Sequence, residues 1–333
     1  LVEAVFATGF ALVFDFVLPE AGLPATVFFF VIDAIPSTLP SNTEVFVQRN
    51  QQKQPGVTLI GLGNWGTALA HALVRAGIPV QEIVLRRTTP LSRKTAAALG
   101  AQLSTWKQAR LATAVFWLCT PDAQIATAAA MLATRKGAAL RGARVFHSSG
   151  VRSSAVLQPV AALGASTASA HPLMSFPQRA VVPLQGVPFG VEGDVAAVRL
   201  ARRWIKKMGG GAFRVSTEHK ALYHAFGTFS SPLLVAFLTA ARATGIAAGL
   251  SPQEADKRMR PIAERSLHNF FAHGPQRSFS GPIARGDVDT IHLHLAALRQ
   301  HPKLQHVYRS AAGYALHALP TKKRQQIRKV LSE

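Results

Sequence analysis

Carboxylates and cysteine are what this chain has least of. Its 333 residues hold 16 Asp and Glu against 37 Lys and Arg, a formal net charge of +21, and one cysteine, Cys119. A single thiol excludes a disulfide framework and fits a reducing, cytoplasmic setting. The same scarcity excludes the usual metal centres. His292 and His294 stand two residues apart, on different faces of a helix, and no Cys, Asp or Glu lies at ligand spacing, so no metal is expected. The basic residues are scattered apart from the run Lys322 to Lys329, and no nucleic-acid motif accompanies them. The charge therefore reads as general attraction for anions, with no specific nucleic-acid partner.

Basic residues are missing altogether before Arg49, where eight of the nineteen phenylalanines are gathered. A secretory signal would begin with positive charge, which excludes that reading. A membrane span over residues 1–36 would carry Asp15, Glu20 and Asp33, and each mid-bilayer carboxylate costs about 2.5–3.5 kcal/mol on insertion scales. Residues 1–55 are expected to be an apolar extension of poorly specified structure, with a peripheral membrane anchor as the alternative.

Order of a recognisable kind begins at residue 56. The run Val57 to Ile60 leads into Gly61-Leu62-Gly63-Asn64-Trp65-Gly66, and an alanine-rich helical pattern follows until Gly77 and Pro79. In a strand, glycine turn and helix of this spacing, Gly61 permits the turn and Gly63 lets backbone approach a pyrophosphate. Gly66 lets helix pack on strand, and the helix N-terminus faces the phosphates. The next strand, Glu82 to Leu85, ends in Arg86 and Arg87. An acidic residue at this position would hold the ribose hydroxyls of NAD. A guanidinium fork instead suits the 2′-phosphate of NADP, unless the two arginines are simply a solvated loop.

Ala114 to Cys119 is a continuous apolar run typical of a strand buried on both faces, ended by Thr120-Pro121-Asp122, which also caps the next helix. Further strands are read at Arg144 to His147, from Ala168 to His171, and at Phe189 to Glu192, with Asp194 capping a helix up to Met208. Ligands of open α/β sheets lie at the carboxyl ends of strands, so residues 61–66, 120–122, 148–150 and 171–176 should converge on one cleft. After Thr217 the pattern is helical to the end, and Tyr223 to Arg242 is apolar on most faces, interrupted at Ser230-Ser231-Pro232. Such a helix must be buried by its own domain or by a second subunit, so a homodimer is expected. The fold class is α/β, a Rossmann parallel-sheet domain over residues 56–215 followed by an all-α domain over residues 216–333.

The chain resembles the dehydrogenase group, with a Rossmann domain and a helical C-terminal domain, that includes pyrroline-5-carboxylate reductase and prephenate dehydrogenase. It is more closely similar to bacterial proteins whose C-terminal part is the domain of unknown function 2520. The resemblance rests on GLGNWG at 61–66, FHSSG at 146–150, HPLMSF at 171–176, FGVEG at 189–193, EHKALYHAF at 218–226, and SGPIARGD with HLHLAAL between 280 and 298. It implies NADP(H) as cofactor and oxidoreductase chemistry on a small molecule. Ser231-Pro232 departs from a Ser-Asn common in related proteins, and so removes an amide from any substrate site there.

Hydride transfer needs a proton donor or acceptor beside the reacting oxygen or nitrogen. His171, at a strand end before Pro172, is the foremost candidate, and the resemblance implies a substrate-facing role for it; the alternative is a structural core histidine. Ser148 and Ser149 would orient substrate or the nicotinamide amide, or simply cap a strand. Lys220 and His224 are i, i+4 neighbours on one helix face, placed either for acid/base work or at a solvated helix start. Arg285, Asp287 and His294 would clamp a carboxylate or cross a dimer interface. The cofactor contacts expected are Gly61, Leu62, Gly63, Asn64, Trp65, Gly66, Arg86, Arg87, Thr120, Pro121 and Ser148. Together these give an NADP-dependent oxidoreductase acting on a small, anionic carbonyl, imine or hydroxy compound. A non-catalytic cofactor-binding regulator or assembly protein is the alternative.

Overall fold

A computed structural model describes residues 56–333; the expectations for residues 1–55 lie outside them. Eight strands form one sheet in the order β3-β2-β1-β4-β5-β6-β7-β8. They are β1 (Val57–Ile60), β2 (Val80–Leu85), β3 (Gln102–Thr105), β4 (Val115–Leu118), β5 (Arg144–His147), β6 (Ser166–Pro172), β7 (Pro188–Gly193) and β8 (Gly211–Arg214). The first six run parallel, in the doubly wound order whose direction reverses between β1 and β4, the point where such sheets bind ligands. The sheet is not wholly parallel, because β7 runs antiparallel to β6. The sequence reading missed two strands, β3 and β8. Their residues QLST and GAFR are short and half exposed, so they show neither an apolar run nor a clean alternation.

Full burial of β1 and β4 follows from helices on both faces. Between them run α1 (Asn64–Arg75), α2 (Pro90–Ala98), α3 (Ile125–Lys136), α4 (Gln158–Ala161) and α5 (Val195–Lys207). Helix α5 buries Ala197, Ala201, Trp204 and Ile205, one stripe of a 3.6-residue period. Trp204 stacks on Trp117 of β4 at 6.4 Å, with Phe146 of β5 against both rings. Two expected caps are used differently. Asp194 occupies the N-cap position of α5, but its carboxylate accepts from the Thr167 N–H of β6 at 2.6 Å. Asp122 opens a short 3₁₀ turn ahead of α3 without a side-chain cap and instead accepts from the Ser149 hydroxyl, just beyond β5.

Beyond Arg214 the chain is helical: α6 (Lys220–Ser230), α7 (Pro232–Ala247), α8 (Pro252–Ser278), α9 (Pro282–Arg285), α10 (Val288–Leu298), α11 (Pro302–Ala318) and α12 (Arg324–Ser332). The long apolar helix expected from Tyr223 is two helices broken at Ser231, with Pro232 at the first position of α7, where a missing N–H costs nothing. Ser251 and Glu254 close a reciprocal cap on α8, which kinks at Gly274 before Pro275. A small core joins Ile291 and Leu295 of α10 to Leu316, Ile327 and Val330. Helices α6 and α7 contribute almost nothing to any core: Leu222 is 72% and Phe229 71% exposed, and no residue of α7 is buried.

Candidate functional site

The glycine turn is built as its spacing requires. Gly61 has φ +105°, and a β-carbon there would lie 2.7 Å from the Cys119 carbonyl oxygen; one on Gly66 would lie 2.7 Å from the Gly61 carbonyl oxygen. Both close approaches admit only glycine. A β-carbon on Gly63 would meet nothing within 4 Å, because this position faces open space. Gly63 caps α1 with no side-chain bond, leaving the first N–H groups of that helix for an anion. Leu62 turns into the core. A cleft of about 350 Å³ opens above the turn, lined by Gly63, Asn64, Trp65, Thr120, Pro121 and Ser148, and farther along by His171 and Met174. The Thr120 hydroxyl is buried beside this cleft without a hydrogen-bond partner, an acceptor and donor held ready for a bound molecule. Arg86 and Arg87 are exposed at the carboxyl end of β2, next to β1. Arg93 of α2 reaches the same loop, donating to the Thr88 hydroxyl at 3.1 Å, a third guanidinium that the sequence reading passed over. These features fit a dinucleotide with its pyrophosphate on α1 and a phosphorylated ribose near the arginines.

Beneath the cleft lies a buried polar network. Lys220 is neither solvated nor open to the cleft: its ammonium is 3.3 Å from the Glu192 carboxylate and donates to the Ser169 hydroxyl at 2.5 Å and the Ser149 carbonyl at 3.2 Å. Burial pulls the Lys220 pKa down, and the Glu192 charge opposes that pull. Glu192 also accepts from the Ser154 N–H and hydroxyl, both at 2.8 Å, so each buried charge is met several times over. The network ties α6 to β5, β6 and β7. The Ser149 hydroxyl donates to Asp122 at 2.7 Å and accepts from the Arg152 N–H, which makes it a fastener between two strand ends. Ser148 accepts from the Trp117 indole N–H at 2.8 Å and still lines the cleft. Glu192 escaped the sequence reading, although a lone acidic residue in an otherwise apolar strand was the available signal.

His171 stands where two clefts meet. The second, of about 500 Å³, lies between the end of β6 and the α6–α7 junction, and His171 and Met174 line both. The His171 Nδ1 shares a hydrogen bond with the Tyr223 hydroxyl at 2.9 Å, and His224 approaches edge-on at 5.9 Å. Tyr223, not counted among the site residues from sequence, thus fixes the ring from one turn along α6. Burial first, then the His224 and Lys220 charges, pushes the His171 pKa down to about 4. The phenol is pushed up to about 12, again by burial. Near pH 7 the pair is therefore a neutral imidazole and a neutral phenol.

His147, fully buried on β5, is pushed down to about 3, chiefly by burial. Both histidines stay neutral in the folded chain and regain the ordinary value of 6.5 on unfolding. Between about pH 4 and 6.5 the unfolded chain therefore binds more protons, and stability rises with pH across that window. The melting temperature is expected to hold above pH 6.5 and to fall steadily as the pH drops towards 4. His171→Gln should flatten part of the slope. A melting temperature constant from pH 4 to 7 would contradict this electrostatic picture.

Arg285, Asp287 and His294 do not join this site within one chain. Arg285 pairs loosely with Asp287 at 3.9 Å, and Asp287 caps α10 by accepting from the Thr290 N–H at 3.2 Å. His294 bonds the Tyr308 hydroxyl at 3.1 Å beside an apolar groove between α7, α10 and α11. Among the described residues no group of three His, Cys, Asp or Glu could hold a metal ion.

Comparison with known proteins agrees with this fold. Residues 41–172 match the Rossmann-like domain, and residues 187–315 match DUF2520, a domain of unknown function. No curated protein matches the chain in sequence. Among solved structures, the chain is similar to protein BF3122 of Bacteroides fragilis, provisionally named an NADP oxidoreductase (TM-score 0.66, 19% identity, covering 79% of this chain and 98% of that one). It is likewise similar to protein TM1727 of Thermotoga maritima (0.61, 20%, 83% and 98%). An imine reductase of Myxococcus stipitatus, solved with NADP+, follows (0.60, 17%, 84% and 100%). These likenesses extend over both parts of the described fold, sheet and helices alike. The chain combines, in sequence order, a Rossmann-like domain and a DUF2520 domain.

Proposed function

We propose that the protein is an NADP(H)-dependent oxidoreductase acting on a small carbonyl, imine or hydroxy compound. The observation that carries this reading is the position of His171, at the junction between the glycine-turn cleft and a second cleft large enough for a small molecule. Bound NADPH would supply the hydride. The chain's own part is to hold the pyrophosphate on the open N–H groups of α1 and to take the 2′-phosphate on Arg86 and Arg87. His171, aimed by Tyr223, then hydrogen-bonds the reacting oxygen or nitrogen of the substrate. The neutral imidazole accepts the proton of an alcohol as its hydride leaves. On the reductive path the resulting imidazolium returns that proton to the oxygen, while a protonated imine takes the hydride and needs no further proton. The names of the similar structures, an NADP oxidoreductase and an imine reductase with NADP+, support the same reading.

Fluorescence titration tests the cofactor. NADPH should bind at least tenfold more tightly than NADH, and Arg86→Ala/Arg87→Ala should remove most of that preference, because a charge-assisted hydrogen bond contributes about 1.5–3 kcal/mol. Equal affinities in the unsubstituted protein would reject the assignment.

A homodimer through α6–α8 belongs to the same reading. The run Lys220–Ala247 has a mean hydropathy of 1.4 and would be long enough to cross a membrane by composition alone, yet its first residue is locked into the sheet by Glu192. Phe226 and Phe229 of α6 and Phe271 of α8 are more than half exposed, apolar area that a second copy would cover. Light scattering at micromolar concentration should give twice the chain mass; a monomer would count against it.

A further inference from the structure

Trp117 does more than fill the core beside β4. Its indole N–H is a donor and nothing else, and it meets the Ser148 hydroxyl at 2.8 Å. The Ser148 oxygen must therefore accept, which leaves its own proton for another partner. Among the described residues that hydroxyl forms no second hydrogen bond, and Ser148 lines the cleft above the glycine turn. The indole has no room to turn away, being fully buried with Phe146 at 5.0 Å and Trp204 at 6.4 Å. Ser148 thus presents one polarity to the cleft, a donor. Asp122 lines the same cleft with the opposite polarity, since a carboxylate only accepts. The Ser149 hydroxyl, next along the chain from Ser148, holds that carboxylate at 2.7 Å. A phosphate beside Asp122 would face like charge. A carboxamide, neutral and carrying one C=O and two N–H bonds, answers the donor and the acceptor together.

We infer that Trp117 is a positioning residue: it fixes Ser148 as a donor, and Ser148 with Asp122 grips the carboxamide of the nicotinamide, its oxygen on Ser148 and its nitrogen on Asp122. This rests on the oxidoreductase reading, because the nicotinamide cofactor is what brings that group to the cleft. By holding the carboxamide, the pair decides which face of the ring is offered to the second cleft and His171, which lines both clefts.

Calorimetry on the full chain with altered cofactors reads these contacts. Thio-NADP+ carries sulfur, a poor acceptor, in place of the carboxamide oxygen, and adenosine 2′,5′-bisphosphate lacks the nicotinamide altogether. Ser148→Ala should weaken NADP+ binding by about fivefold, thio-NADP+ by less than about twofold, and leave the bisphosphate unchanged. In the 3-acetylpyridine analogue a methyl group replaces the amide nitrogen, so Asp122→Ala should weaken this analogue less than NADP+. Trp117→Phe keeps an aromatic ring in the core but frees the Ser148 hydroxyl, and should bring the NADP+ and thio-NADP+ affinities closer together. A merely structural Trp117 would weaken both alike, and that unchanged ratio would overturn its positioning role. If Trp117→Phe does not fold, Ser148→Ala still decides. Equal losses for NADP+ and thio-NADP+ in Ser148→Ala, or no loss in either, would overturn the carboxamide contact while leaving the oxidoreductase reading in place. An unsubstituted chain that fails to bind NADP+ would bring down both.

Discussion

Replacing Lys220 by methionine is expected to destabilise the protein by about 3–5 kcal/mol, the usual cost of stranding one partner of a buried ion pair. Glu192 would keep its bonds from Ser154 but lose, among the described residues, the one cation within salt-bridge distance, in surroundings where its side chain is 4% exposed. The loss should appear in urea unfolding as a lower midpoint at unchanged slope. Lys220→Met/Glu192→Leu removes both charges together and should recover much of the loss, because two apolar groups leave no charge unanswered. The pair joins α6 to the sheet, and α6 carries Tyr223 and His224, so the single variant should also loosen the seat of His171. A loss below about 1 kcal/mol would mean that Lys220 reaches solvent or ligand, as an acid/base group would, and is not a fastener.

The second large effect concerns His171. His171→Gln is expected to lower kcat by about 10²–10⁴-fold, the range for removing a positioned acid/base group, while NADPH affinity changes little. The imidazole faces the junction of the clefts and lies apart from the phosphate-binding turn. Tyr223→Phe removes the hydroxyl that fixes Nδ1 and should cost less, about tenfold, because the ring remains but is no longer held. NADPH oxidation with a panel of small imines and carbonyls measures both. Equal turnover in His171→Gln and the unsubstituted protein would assign His171 to the structure alone.

Much of this site could be read from the chain because its parts are local. Gly61, Gly63 and Gly66 declare themselves through spacing and flanking pattern, and β4 through its unbroken apolar run. The Rossmann character of the sheet followed from alternation of strand and helix, whereas the short, half-exposed β3 and β8 and the antiparallel direction of β7 gave no such signal. The roles of polar residues were harder, since a role depends on partners far along the chain. Lys220 meets Glu192, 28 residues earlier, and Ser149, 71 residues earlier, and nothing at its own position signals burial. Arg285, Asp287 and His294 looked like one cluster because they are close in sequence, yet their side chains serve a helix cap and a tyrosine contact on the far helices. His171 was identified from its place at a strand end; its low pKa and its phenolic partner needed the fold.

The most direct measurement is a crystal structure of the protein with NADPH. The account predicts the pyrophosphate on the N–H groups at the start of α1, the 2′-phosphate against Arg86 and Arg87, and the nicotinamide between Thr120 and His171 with one face open to the second cleft. A nicotinamide lying away from His171, or a glycine turn without cofactor at millimolar NADPH, would contradict it.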